Sequence, residues 1–406
     1  MRLSLSILLA LFVGAASARA DAQAPPKVAP PAQKPPAAES QAAPVTPEQV
    51  KSAIDRLGDL DFPIRSSAAR TVRRADPTVA VPALLAAVKQ HSDQYVRFRA
   101  LVLLSGFNDP RTREVMFAAA ADKNDRMRTV AYSYFERNPD KAVIPRLQEA
   151  LNVEASEFVR PALTRALAAH ADDPAVRQTM EGLVMKGQVF FRSVVIEAIG
   201  DHRGAYALKS LIEVSKLDGP LQDDAVLALG KIGDKTSLPA LASLQRSAPR
   251  ESQPGIAAAI CLLGVNCASH EPYVTDSLRF SIANLGFQAL LRSSASALGA
   301  LAVAGRENAF VELVQQGAPT RDPVRAPIAL ALGGVALRNP QIILKVLEND
   351  AVRDPAIELL RESFDMLEED YDEERFFATV RRAYWEAPAN SPARRVADAL
   401  IQKLEF

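Results

Sequence analysis

Histidine and cysteine are nearly missing from this chain: four and two in 406 residues. A metal site needs converging imidazole, thiolate or carboxylate ligands. His91, His170, His202 and His270 are scattered, and His270-Glu271 is the only His-Glu pair. A nucleophilic cysteine needs a base beside it, and only His270 lies near Cys261 and Cys267 in sequence. A Gly-rich phosphate loop, a nucleophile elbow and a His-Glu-x-x-His pair are all absent. No catalytic residue, metal ligand or cofactor is therefore assigned, and no small-molecule ligand is expected. Charge of one sign is missing too, since 48 Lys and Arg balance 48 Asp and Glu. A nucleic-acid binder is expected to show a basic stripe, and none is present. Aromatic residues make up only 6%. No long β-branched alternating run points to a sheet.

The longest apolar run near the start, Leu3 to Val13, is about eleven residues, too short for a bilayer span of roughly 20. Arg2 before it and Ala18-Arg19-Ala20 after it complete the pattern of a cleaved secretory signal over residues 1–20. No cysteine follows the run, so a lipid anchor is not expected. Residues 21–46 are rich in Pro, Ala, Gln and Lys and read as an extended, disordered linker. Thr46-Pro47-Glu48-Gln49 has the form of a capping box, so folding is expected to begin there.

What is present is a repeat. An apolar residue followed by Arg recurs at Ile64-Arg65, Val96-Arg97, Met127-Arg128, Val159-Arg160 and Phe191-Arg192, with Arg spacings of 32, 31, 32 and 32. Leu221-Gln222 continues the phase, and Val324-Arg325 returns to it. From each apolar residue, steps of four give Ile64/Ala68/Val72, Val96/Ala100/Leu104, Met127/Ala131/Phe135 and Val159/Leu163/Leu167, one face of a helix each time. A turn follows at Asp76-Pro77, Asp109-Pro110, Asn138-Pro139 and Asp173-Pro174, then a second apolar helix. A fixed period of this length marks a solenoid whose units bury their apolar faces on one another. The pattern loosens after residue 250. A helix is expected to begin near Tyr273, another at Asp354-Pro355, and a final capping helix at Pro392–Leu404.

These features resemble the HEAT-repeat superfamily, in its short bacterial, phycobilisome-lyase-like form. The resemblance rests on the period, on first helices such as Phe62-Pro63-Ile64-Arg65-Ser66-Ser67-Ala68-Ala69, and on second helices opening Val81-Pro82-Ala83-Leu84, Ile144-Pro145-Arg146-Leu147 and Leu238-Pro239-Ala240-Leu241. It covers residues 48–350 well and the rest weakly. It implies an all-α, right-handed α-α superhelix of about ten or eleven helix pairs over residues 47–406, irregular after 350. It also implies a binding scaffold, with some members handling cofactors.

Several residues have two readings. The column Arg65, Arg97, Arg128, Arg160, Arg192 and Arg325 is either an anion-binding row or a structural ladder beside turn acids such as Asp61 and Asp93. The ladder is preferred, because residues four apart meet on a helix. Cys261 and Cys267 either pair, if their α-carbons lie within about 7 Å, or stay as thiols. Phe280, Phe287 and Leu291 form either an apolar interaction patch or buried mid-array packing, and burial is preferred. Residues 348–406 carry 15 acids against 8 bases, with Glu368, Glu369, Asp370, Asp372, Glu373 and Glu374 concentrated together. That run is read as a loop or a helix end; it either attracts a basic partner or is a solvated loop, and the solvated loop is preferred. The functional expectation is an exported, periplasmic or secreted scaffold for a protein or peptide. The alternatives are a cofactor-handling lyase or chaperone resembling the bilin lyases, and an envelope structural protein.

Overall fold

The computed structural model describes residues 44–367 and 369–406. The expected signal and nearly all of the linker lie outside these residues. Helix α1 (Pro47–Arg56) opens the fold, and the expected capping box is present: the Gln49 N–H donates to the Thr46 hydroxyl while the Thr46 N–H donates to Oε1 of Gln49. Both otherwise orphaned donors at the helix start are thus satisfied.

The next eighteen helices alternate between two rows. They are α2 (Phe62–Arg74), α3 (Pro77–Gln90), α4 (Gln94–Ser105), α5 (Thr112–Ala119), α6 (Asp125–Arg137), α7 (Ile144–Val153), α8 (Arg160–Ala169), α9 (Pro174–Val184) and α10 (Val189–Asp201). The series continues with α11 (Leu208–Val214), α12 (Pro220–Ile232), α13 (Leu238–Ser247), α14 (Gln253–Leu262), α15 (Cys267–Ala283), α16 (Gln288–Val303), α17 (Glu307–Gly317), α18 (Arg325–Arg338) and α19 (Pro340–Val346). Three further helices close the chain: α20 (Asp350–Leu367), α21 (Asp370–Glu386) and α22 (Pro392–Leu404). Among the described residues there is no strand, and no single helix is long and apolar enough to cross a membrane. The chain is an all-α repeat superhelix.

Each even-numbered helix from α2 to α20 packs on the next even one, while the odd-numbered helices meet one another sparsely. Close contact on one side and splay on the other curve the array, with the even row inside. The step-of-four triplets supply the contacts. Val96, Ala100, Leu104, Leu163, Leu167 and Ile199 are all buried. Each large aliphatic side chain removed from water contributes about 1.5–3 kcal/mol. Small residues let the inner helices approach: a Cβ on Gly230 would lie 2.6 Å from the Ala259 α-carbon, and one on Gly200 would lie 2.8 Å from that of Ala228.

Two expected boundaries differ. Helix α15 starts at Cys267 rather than near Tyr273, following Asn266 in the left-handed region (φ 50°). Helix α20 starts at Asp350, with Asn349 Oδ1 accepting from the Ala351 N–H, so Pro355 sits inside the helix. Pro355 is the sixth residue of α20 and forgoes the amide bond to the Ala351 carbonyl.

The array curls until its ends meet. Helix α21 lies across the inner row against α4, α6 and α18. Glu405, after α22, reaches Arg70 of α2 at 3.3 Å.

Candidate functional site

The Arg column sits in the first turn of the even-numbered helices and folds back onto the preceding loop. Arg65 Nη1 donates to the carbonyls of Asp59 (2.7 Å) and Leu60 (2.9 Å). Arg128 Nη1 does the same to Asp122 and Lys123, while its other nitrogens hold the buried Glu154 carboxylate. Arg160 Nε donates to Glu154 O, Arg192 Nε to Val184 O and Arg325 Nη1 to Ala318 O. A guanidinium has five donors and no acceptor, so one side chain ties several free loop carbonyls to the next helix. The turn acids play another part: Asp93 caps the Tyr95 N–H at 2.7 Å rather than pairing with Arg97. Arg97 departs from the pattern, with its Nε buried and unpartnered.

The acidic run requires a correction. Residues 370–374 are the first turn of α21, not a solvated loop, and Asp372 and Glu374 are 5% and 1% exposed. Glu368 lies outside the described residues. Four of the five described acids are matched by basic residues of the inner row. Arg73 of α2 holds Glu374 (2.6 Å), Arg99 of α4 holds Asp370 (2.5 Å), Arg137 of α6 holds Asp372 (3.1 Å), and Arg165 of α8 holds Glu369 (3.2 Å). Acids at a helix N-terminus are favoured by its dipole, and buried carboxylates persist only when paired. Space is reserved for this seat, because a Cβ on Gly106 would lie 2.4 Å from Oε1 of Glu374. Tyr371 is the apolar anchor. Its ring meets Tyr134 edge-on at 6.1 Å, and its hydroxyl accepts from Asn138 Nδ2.

A second layer of charge supports the first. Glu136 of α6 pairs with Arg165 and Arg137 and faces His202 Nε2 at 3.3 Å. Burial opposes its charge, but the His202 hydrogen bond and the two guanidinium groups outweigh burial and hold it at about 2. Asp201 at the end of α10 takes Lys231 at 2.6 Å and Arg338 at 3.2 Å, so α18 is tied across the inner face to α10. Glu373 is different. Burial and the neighbouring Asp370 charge push its carboxyl up to about 8, against the pull of Arg99 and Arg73.

In the second half, Cys261 and Cys267 are joined by a disulfide, with α-carbons 4.5 Å apart. It ties the last turn of α14 to the first residue of α15. The Phe280, Phe287 and Leu291 cluster, expected to be buried, divides. Leu291 is buried in the core, whereas Phe287 is 42% exposed and stacks edge-on with Phe280, with the Arg250 guanidinium 3.9 Å from the Phe280 ring centre. Among the described residues no group of three or more His, Cys, Asp or Glu is placed to hold a metal ion.

The sequence reading missed a further surface. The starts of four inner helices carry exposed apolar side chains. Leu60 (98%) stands before α2 and Phe62 begins it, Phe158 (88%) stands before α8, Val189 and Phe190 begin α10, and Leu217 stands before α12. Because the inner helices run side by side in one direction, these starts share one edge of the array. The signal was present in Phe158-Val159-Arg160 and Phe190-Phe191-Arg192, where a second apolar residue precedes the buried Val159 and the half-buried Phe191.

Residues 50–134 and 81–168 match the profile of the HEAT repeats family. No curated protein matches the chain in sequence. Among solved structures, the Escherichia coli protein YibA is similar at 21% identity, covering 54% of this chain and 82% of its own, with a TM-score of 0.39. The complex of CpcE and CpcF of phycocyanin lyase from Nostoc sp. PCC7120 is similar at 19% identity, covering 57% and 92%, with a TM-score of 0.35. Kap95p, in a structure described as inducing the switch loops of RanGDP to adopt the GTP-bound conformation, is similar at 13% identity, covering 88% and 54%, with a TM-score of 0.32.

Proposed function

Taking the chain as a HEAT-repeat superhelix, we propose that it is an exported, non-enzymatic scaffold that holds a protein partner along its apolar loop edge. The observation that carries this is the exposure of Phe62, Phe158 and Phe190, each at or just ahead of the start of an inner helix. Side chains of this kind gain nothing from water, and contiguous exposed apolar surface marks interaction sites. A fixed rise from unit to unit spaces them so that an extended or helical partner can meet several at once. Export is supported by the signal pattern of residues 1–20 and by the Cys261–Cys267 bridge, a bond that persists in oxidising compartments.

The test uses the full-length protein and the triple substitution Phe62→Ser, Phe158→Ser and Phe190→Ser. All three side chains are exposed, so the helical circular dichroism and melting midpoint should stay near those of the parent. Affinity capture from an envelope extract should recover a stoichiometric partner with the parent and lose it with the triple variant. Equal recovery by both proteins would rule out the apolar edge as the binding surface. Fractionation of the producing cell tests export, which predicts a shortened chain outside the cytoplasm.

A further inference from the structure

Two hydrophobic cores run through the body, and they meet in an unusual way. One comprises buried residues from Val50 to Leu263, and the other runs from Ala257 to Phe406. Where the array curls closed, a single side chain of the C-terminal segment, Tyr371, belongs to the first core. The apolar half of α21 faces its own neighbours instead: Phe376 packs with Phe364 and Phe377, and Phe377 stacks on Phe406. The seam between α21 and the inner row is therefore built from ion pairs around one tyrosine. Its basic side is Arg73, Arg99, Arg137 and Arg165, presented by four successive inner helices, and its acidic side is one helical turn.

We propose that the inner face of α2, α4, α6 and α8 is a recognition site for an acidic helix, and that α21 is its resident, exchangeable ligand. The occupant is an amphipathic helix of a partner protein with several Asp or Glu in its first turn and a tyrosine among them. Charge complementarity selects it, because four guanidinium groups on adjacent helices match a run of carboxylates at helical spacing. Exchange is feasible because leaving the seat uncovers one aromatic side chain rather than a core. The C-terminal helices keep their own apolar contacts as they swing away. Glu373 marks the resident as an imperfect fit. It faces Asp370 and Glu369 as well as Arg73 and Arg99, and its carboxyl disfavours its charged form there. This site lies on the inner face and is independent of the apolar loop edge.

The experiment frees the seat in the full-length chain and supplies the ligand separately. One variant combines Asp370→Asn with Asp372→Asn, and a second, Tyr371→Ser, removes the resident's aromatic anchor while leaving the inner row and every charge in place. The probe is a fluorescent synthetic peptide with the sequence of residues 366–386. Both variants should bind it at least tenfold more tightly than the parent chain, with affinity falling as salt rises. Adding Arg99→Glu and Arg137→Glu should abolish binding, and a peptide with its acids replaced by amides should not bind. Folded variants that bind no better than the parent, or that bind the neutral peptide equally, overturn the proposal. Should both variants misfold, competition on the unmodified protein decides: the labelled peptide in excess should bind saturably at low ionic strength and be displaced by unlabelled peptide, and the absence of saturable binding overturns the exchangeable seat.

Discussion

Replacing Gly230 by alanine should destabilise the protein, although the same change in a helix interior ordinarily stabilises it. Alanine is favoured over glycine in mid-helix by about 0.5–1 kcal/mol. At Gly230 of α12 the new methyl group would lie 2.6 Å from the α-carbon of Ala259, 2.9 Å from its β-carbon and 3.1 Å from its carbonyl oxygen. Carbon atoms at optimal contact stand about 3.5–4.0 Å apart, so α14 must retreat by roughly 1 Å. The obstacle is backbone, and no side-chain rotation relieves it. Overpacking of this kind costs about 1–3 kcal/mol, which outweighs the propensity gain and leaves a net loss of about 1–2 kcal/mol. Gly182 of α9 is the control. It is helical and a Cβ there meets nothing within 4 Å, so Gly182→Ala should raise stability by about 0.5–1 kcal/mol. Urea unfolding followed by circular dichroism reads both, with the slope checked for cooperative behaviour because long repeat arrays can lose it. If Gly230→Ala stabilises as much as Gly182→Ala, the inner helices do not pack as closely as described.

Arg128→Met should cost about 3 kcal/mol in urea unfolding, because it strands the buried Glu154 carboxylate as well as two loop carbonyls. Arg65→Met, which frees only carbonyls, should cost about 1 kcal/mol. Glu136 is held at about 2, below its unfolded value, so its stabilisation is complete above the unfolded pKa and is lost as pH falls towards 2. That loss amounts to about 3 kcal/mol, and Glu136→Gln should flatten the acid limb of a stability profile. Glu373 has the opposite sign: its folded value is raised to about 8, so its contribution is greatest below the unfolded pKa and fades as pH rises through 8. Glu373→Gln should therefore raise the melting midpoint more at pH 8.5 than at pH 5, and an equal shift at both would refute this. Opening the Cys261–Cys267 bridge, whose cysteines are six residues apart, should lower stability by about 2 kcal/mol in a comparison of oxidised protein with the Cys261→Ser and Cys267→Ser variant.

The repeat was legible because it is a local rule. Ile64/Ala68/Val72 and its counterparts mark a helical face from spacing alone, and Asp76-Pro77 and Asp173-Pro174 mark helix starts through side chains that cap the next amides. The Arg column was legible for the same reason, although its acceptors are carbonyls rather than the neighbouring acids. The inner basic residues follow no such rule. Arg73, Arg99, Arg137 and Arg165 stand at different offsets from the column, so no periodic reading groups them.

Sequence alone therefore determined the helices, their pairing and the buried stripe, since each depends on residues within one or two turns of one another. Tertiary structure decided where the acids of α21 go and which phenylalanines stay exposed. The curvature of the array is the sum of small differences in packing between inner and outer rows, accumulated over ten inner helices. Only that sum brings residue 374 to residue 73, and no short stretch of the chain encodes it.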